Sequence, residues 1–201
     1  LPEQPPVQPL PLFAFLQTLW HGRPGMVYLS PAPLYHSAPL SNINITLRNG
    51  GTAIVMEHFD AEQYLALVQQ HRVTHSQLVP TMFNRMLKLP AEVRERYDLS
   101  SLEIAVHAAA PCPIPVKEQM IDWWGPIIHE YYGATEGMGI TACDTAEWLA
   151  HRGTVGRVLL GDLHILDADG QPVPPGTPGE IWFRTANPCD YYMDPERTAL
   201  T

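Results

Sequence analysis

From residue 26 to residue 132 the sequence alternates short, continuously apolar runs with segments of helical spacing, and this alternation restricts the fold more than any other feature. The runs fall at 26–29, 51–56, 76–79, 102–106 and 127–132. An apolar run without polar alternation is buried on both faces, as strands of a parallel sheet are when helices cover both sides. Helices are expected at 12–20, 38–48, 81–89, 90–97 and 113–124. Asp60 and Gln63 have the spacing of a capping box and open a further helix, with Tyr64, Leu65 and Val68 on its apolar face. Thr81 is expected to cap the helix it precedes.

The pattern changes after about residue 153. Strands are expected at 157–160, 163–166 and 180–184, with Asp169-Gly170 as a turn and Pro172, Pro174, Pro175 and Pro178 crowding the loop that follows. The expected fold is therefore α/β. A mainly parallel sheet flanked by helices is followed by an incomplete antiparallel, barrel-like segment. Residues 1–19 form a leading segment, its first eleven residues a proline-rich linker; 20–150 form the α/β subdomain; 151–201 start a barrel-like subdomain that is cut short. An open β edge there favours self-association.

Charge excludes some partners. The formal charge is −9 and the only lysines are Lys88 and Lys117, a balance that argues against a nucleic-acid backbone or an anionic membrane as the main partner. No run approaches the roughly 18 apolar residues of a membrane span, and the first residues lack the positive region of a signal peptide. Cys112, Cys143 and Cys189 match no zinc or disulfide framework, and a reducing, cytoplasmic setting is expected. None of the nine histidines falls in HxH or HExxH, and GxSxG, CxxC and Walker sequences are absent.

Ligands of open α/β sheets bind beyond the carboxyl ends of the strands. Loops 30–39, 107–113 and 133–139 hold that position. In the last, Tyr132 offers a flat ring, Gly133 permits a turn, Thr135 offers a hydroxyl, and Glu136 offers a hard oxygen suited to Mg2+. Gly137 and Gly139 permit close approach. An ordinary glycine-rich turn with a solvated glutamate would read the same way. The alanines of HAAAPCP leave room for a planar group, or make a tight strand-to-helix loop. His36 could accept a proton or border a pocket, although most loop histidines do neither.

YYGATEG at 131–137 resembles the signature of adenylate-forming enzymes, in the acyl-CoA synthetase branch. The resemblance extends in order through YLSPAPLYHSAP (28–39), HAAAPCPIPVKEQMIDWWG (107–125), GTVGRV (153–158) and GEIWFR (179–184). It implies a ligase that joins a carboxylic acid to ATP, giving an acyl-adenylate, and passes the acyl group to CoA. By resemblance, Ala109, Ala110, Pro111, Tyr131, Tyr132, Gly133 and Thr135 bind the nucleotide. Glu136 holds Mg2+. His36, Ser37, Gly133 and Met138 border the acyl group, and Thr135, Glu136 and His36 take part in catalysis. The family's lysine-bearing phosphate loop and its later catalytic lysine have no match here. The expectation is an internal fragment of the large N-terminal domain, inactive alone. The alternatives are a non-catalytic acyl- or nucleotide-binding module and a purely structural remnant.

Overall fold

A computed structural model of the chain describes residues 11–185 and 190–199. The expected proline-rich linker, apart from Pro11, and Cys189 lie outside the described residues. The chain forms two compact units, Leu1–His129 and Glu130–Thr201.

The first unit runs α1 (Pro11–Leu19), β1 (Val27–Ser30), α2 (Ser37–Arg48), β2 (Thr52–Val55), α3 (Ala61–His71), β3 (His75–Leu78), α4 (Pro80–Leu87), α5 (Ala91–Arg94), β4 (Ile104–His107) and α6 (Ile114–Trp124). It ends as β5 (Ile128–Gly133) begins. β1 pairs in parallel with β2 and β3, and β3 with β4. The Ala105 amide donates to the Ile127 carbonyl at 2.9 Å and brings the start of β5 beside β4. The second unit continues β5 and adds β6 (Ile140–Cys143), α7 (Thr145–Ala150), β7 (Arg157–Leu160), β8 (Asp162–Leu166), β9 (Glu180–Arg184) and α8 (Pro195–Ala199). β6 is antiparallel to both β5 and β7. The strand order is β2-β1-β3-β4-β5-β6-β7, a mixed, mainly parallel sheet, while β8 and β9 form a separate antiparallel pair. Among the described residues no sheet closes into a barrel.

The two faces of the first unit's strands differ in chemistry. Leu29, Leu78 and Ala105 pack into the main core with Tyr64, Leu65 and Val68 of α3, Met82, Phe83 and Met86 of α4, Met120 of α6, and Met56. Tyr64 and Trp124 stack at 6.1 Å, and Phe83 meets Trp124 edge-on at 5.9 Å. Tyr28, His75, Gln77, Ile104 and Val106 alternate with these residues along their strands, so they lie on the opposite face.

Several expectations shift on physical grounds. β3 begins one residue early, at His75, and all four of its residues are buried although three are polar. Hydrogen bonds permit this: the Ser76 hydroxyl donates to the Leu29 carbonyl at 2.8 Å, and the His75 ring bonds the Trp20 carbonyl at 3.1 Å. β2 is an edge strand with exposed ends, not a strand buried on both faces. Thr81 does not cap α4. Val79 holds the cap position and Pro80 the first turn, where its fixed φ suits a helix start. The expected helix at 90–97 contracts to α5. Asp60 caps α3 as expected, accepting from the Gln63 amide at 2.8 Å. β6 and α7 were not anticipated; Asp144 caps α7 by the same bond to the Glu147 amide, again at 2.8 Å.

Candidate functional site

Each sequence-identified loop follows a strand at its carboxyl end. In the first unit, β1 leads to His36, the N-cap residue of α2, whose side chain makes no capping bond. His36 is exposed and lies against the ring of Tyr35, centroids 4.4 Å apart, itself 83% exposed. Ser37, also exposed, begins the helix.

β4 leads to the alanine loop. Ala108 is buried, while Ala109, Ala110 and Pro111 are exposed. Ala109 has φ +73°, the left-handed region that a Cβ disfavours. Such strain persists where the surroundings over-determine it, commonly beside ligands. The loop thus presents small side chains and open backbone, as a flat ligand requires.

At the end of β4 stands His107, fully buried and edge-on to Phe83 at 5.4 Å. Burial, with the nearby Lys117 charge adding to it, pushes its pKa down from 6.5 to about 3, so the ring is neutral. Lys117 of α6 is fully buried as well. Neither was singled out from sequence. A histidine closing the apolar run IAVH was the available signal for one; nothing local marks Lys117 as buried.

In the second unit, β5 carries Tyr131 and Tyr132 and ends at Gly133. The turn was expected at Gly133, but Gly133 still pairs with Ile140 in the ladder. The turn is made by the next four residues, 134–137. The Gly137 amide donates to the Ala134 carbonyl at 3.0 Å, and Gly137 takes φ +71°. Thr135 and Glu136 occupy the exposed centre of this turn, and Met138 is half-buried. Tyr132 is 41% exposed and stacks loosely on Phe183, centroids 6.5 Å apart. Gly139 seats that Phe183: a Cβ there would come within 2.0 Å of its ring. Close approach at Gly139 therefore serves packing within the unit.

Among the described residues no group of three or more metal-ligating side chains occurs. A lone exposed carboxylate at Glu136 fits an ion shared with substrate phosphates, since Mg2+ is commonly bound through one or two carboxylates and keeps its other sites for phosphate and water. It does not fit an all-protein cage. No described helix is long and apolar enough to cross a membrane, and no disulfide joins the described cysteines.

Residues 11–193 match the family described as AMP-binding enzyme. Over 175 residues the chain is 35% identical to a feruloyl-CoA synthase of Amycolatopsis sp, covering 85% of this chain and 35% of that protein. It is 33% identical to 4-coumarate–CoA ligase-like 6 of Oryza sativa subsp. japonica, over 89% of this chain and 30% of the relative. Among solved structures, the amide bond synthetase McbA of Marinactinospora thermotolerans superposes with TM-score 0.75 at 29% identity, over 89% of this chain and 37% of that one. The chain spans about a third of the length of the curated relatives it matches.

Proposed function

The chain belongs to the AMP-binding enzyme family, in the acyl-CoA ligase superfamily, and from that premise we propose that it is part of an ATP-dependent acid–CoA ligase. The observation that carries this reading is the exposed Thr135–Glu136 turn directly after the half-exposed ring of Tyr132. A flat ring, a hydroxyl and a carboxylate in this order suit a nucleoside, a phosphoryl oxygen and a phosphate-bound cation.

In the proposed reaction the substrate carboxylate attacks the α-phosphorus of ATP and pyrophosphate leaves. The thiol of CoA then displaces AMP from the acyl-adenylate. Tyr132 would stack on adenine, with Tyr131 and Gly133 beside it and Ala109, Ala110 and Pro111 contributing from the alanine loop. The Thr135 hydroxyl would donate to an α-phosphate oxygen as charge builds there. Glu136 would hold Mg2+, which, when bound, offsets phosphate charge. His36 would border the carboxylate, and Ser37, Gly133 and Met138 would line the acyl pocket. Aromatic and related acids are the substrate class favoured, following the names of the relatives.

The 201-residue chain should not complete this reaction alone, because nothing in it supplies a glycine-rich phosphate cradle with its lysine. Incubation with ATP and a panel of aromatic and fatty acids should release no acid-dependent pyrophosphate, while calorimetry should detect weak AMP binding. Acid-dependent turnover would overturn the fragment reading; absence of both AMP and acid binding would leave a structural remnant. A cytoplasmic location belongs to the same proposal. So does β8–β9 as the first hairpin of a barrel-like subdomain. Exposed Val158, Leu160, Ile181 and Trp182 support self-association, which sedimentation across a concentration series would test.

A further inference from the structure

Two glycines of the second unit leave room for one aromatic ring. A Cβ at Gly139 would come within 2.0 Å of the Phe183 ring, and one at Gly161 within 3.1 Å. Gly139 does not take a positive φ, so it is glycine for space and not for backbone conformation. The Phe183 backbone is fixed in the β8–β9 ladder, where it pairs with Leu163. Its half-buried ring thus has a seat bordered by Gly139 and Gly161. Against that ring lies Tyr132, centroids 6.5 Å apart and planes 22° from parallel. Offset, near-parallel rings attract one another.

This contact bears on the site. Phe183 lies against one face of Tyr132, and the residue remains 41% exposed, which leaves ring surface for a second flat partner. An exposed tyrosine without such a support would have to be ordered by its ligand, at a cost to affinity. On the reading of Tyr132 as the ring that stacks on adenine, on which this inference rests, we propose that Phe183 is a positioning residue. It holds the Tyr132 ring in the orientation that accepts the base, and so ties the β8–β9 hairpin to nucleotide binding. Phe183 acts through Tyr132 rather than on the nucleotide. By linkage, whatever Phe183 adds to nucleotide affinity, the nucleotide adds to the seating of Phe183.

The test uses the 201-residue chain with AMP and inorganic pyrophosphate as probes. In the parent chain AMP should slow amide exchange across β8 and β9, and pyrophosphate, which carries no ring, should not. Phe183→Leu keeps an apolar side chain but no flat ring. It should weaken AMP binding roughly threefold to tenfold by calorimetry, the range of one aromatic pair, and should abolish the AMP-dependent protection. Gly139→Ala displaces the ring from its seat and should weaken AMP binding as well. In the double variant it should add little, because both substitutions act on one ring. The exchange comparison needs no variant, so misfolding of either variant would not obscure it. AMP binding without protection of β8 and β9, or equal or tighter AMP binding by folded Phe183→Leu, would overturn the inference and leave the ligase reading standing. Failure of the parent chain to bind AMP would overturn both the inference and the nucleotide-site reading beneath it.

Discussion

The two units solve the burial problem differently. In the first, the parallel strands β1, β3 and β4 are covered on both faces, and even polar residues such as His75, Gln77 and His107 are taken out of water. In the second, Ile140, Ala142 and Cys143 of β6 and Trp148 of α7 are buried, while β7 and β9 leave Val158, Leu160, Ile181 and Trp182 exposed. Stability in the first unit thus rests chiefly on packing, with hydrogen bonds making the burial of His75 and Ser76 tolerable. In the second it rests on ladder hydrogen bonds around a small core. The first should resist opening and respond to interior substitutions; the second should exchange amide hydrogens sooner.

The largest expected effect is a cavity in the first unit. Phe83→Ala should lower its unfolding free energy by about 3–5 kcal/mol, measured by urea titration, and should leave exchange in β8 and β9 unchanged. A uniform loss in both units would erase the contrast. Acidification should come next. His107 is buried neutral with its pKa near 3, below the 6.5 of an exposed histidine. The unfolded chain therefore binds a proton that the folded chain refuses. The stabilising contribution is complete above about pH 6.5 and is lost progressively as pH falls toward 3, at up to about 1.4 kcal/mol per pH unit. Between pH 6.5 and 5 the first unit should lose on the order of 2 kcal/mol. His75, also shifted down chiefly by burial, adds in the same direction. Urea titrations of His107→Gln across this range should show a flatter dependence than the parent chain.

The caps offer a matched pair. Asp60→Ala and Asp144→Ala remove the same bond at the same length from the two units, and each should cost about 1 kcal/mol. The resulting amide-exchange increase should stay local to α7 for Asp144, whereas for Asp60 it should spread with the core that α3 shares. Smallest should be Glu136→Gln, within about 0.5 kcal/mol of the parent, since the side chain is exposed. A melting shift beyond that would assign Glu136 a structural role.

The parallel part of the sheet was legible because β1, β2 and β4 are short, mostly apolar runs between helical segments. β3 shows the limit: a run-based reading begins at Ser76 and excludes His75, because only tertiary partners make a buried histidine tolerable. Thr81 misleads in the opposite way, since a cap-forming residue next to proline loses to proline's own preference for the first turn. α7 was readable in principle; Asp144 and Glu147 repeat the spacing that revealed α3. The loop positions of His36, Ala109 and Glu136 were legible from order along the chain. The burial of Lys117 and the hydrogen bond that Asn42 of α2 donates to Gln77 of β3 were not, because each depends on elements far apart in sequence.

The sulfur content of the first core has a further consequence. Met56, Met82, Met86 and Met120 are sealed inside it, whereas Met193 is 84% exposed. Thioether oxidation adds a polar oxygen that a packed interior cannot admit. Mild peroxide should therefore mark Met193 in the intact fold and reach the interior four only through opening. Once it does, each sulfoxide formed would hinder reclosure, so oxidative damage to this protein should advance by discrete, self-reinforcing steps rather than by gradual wear.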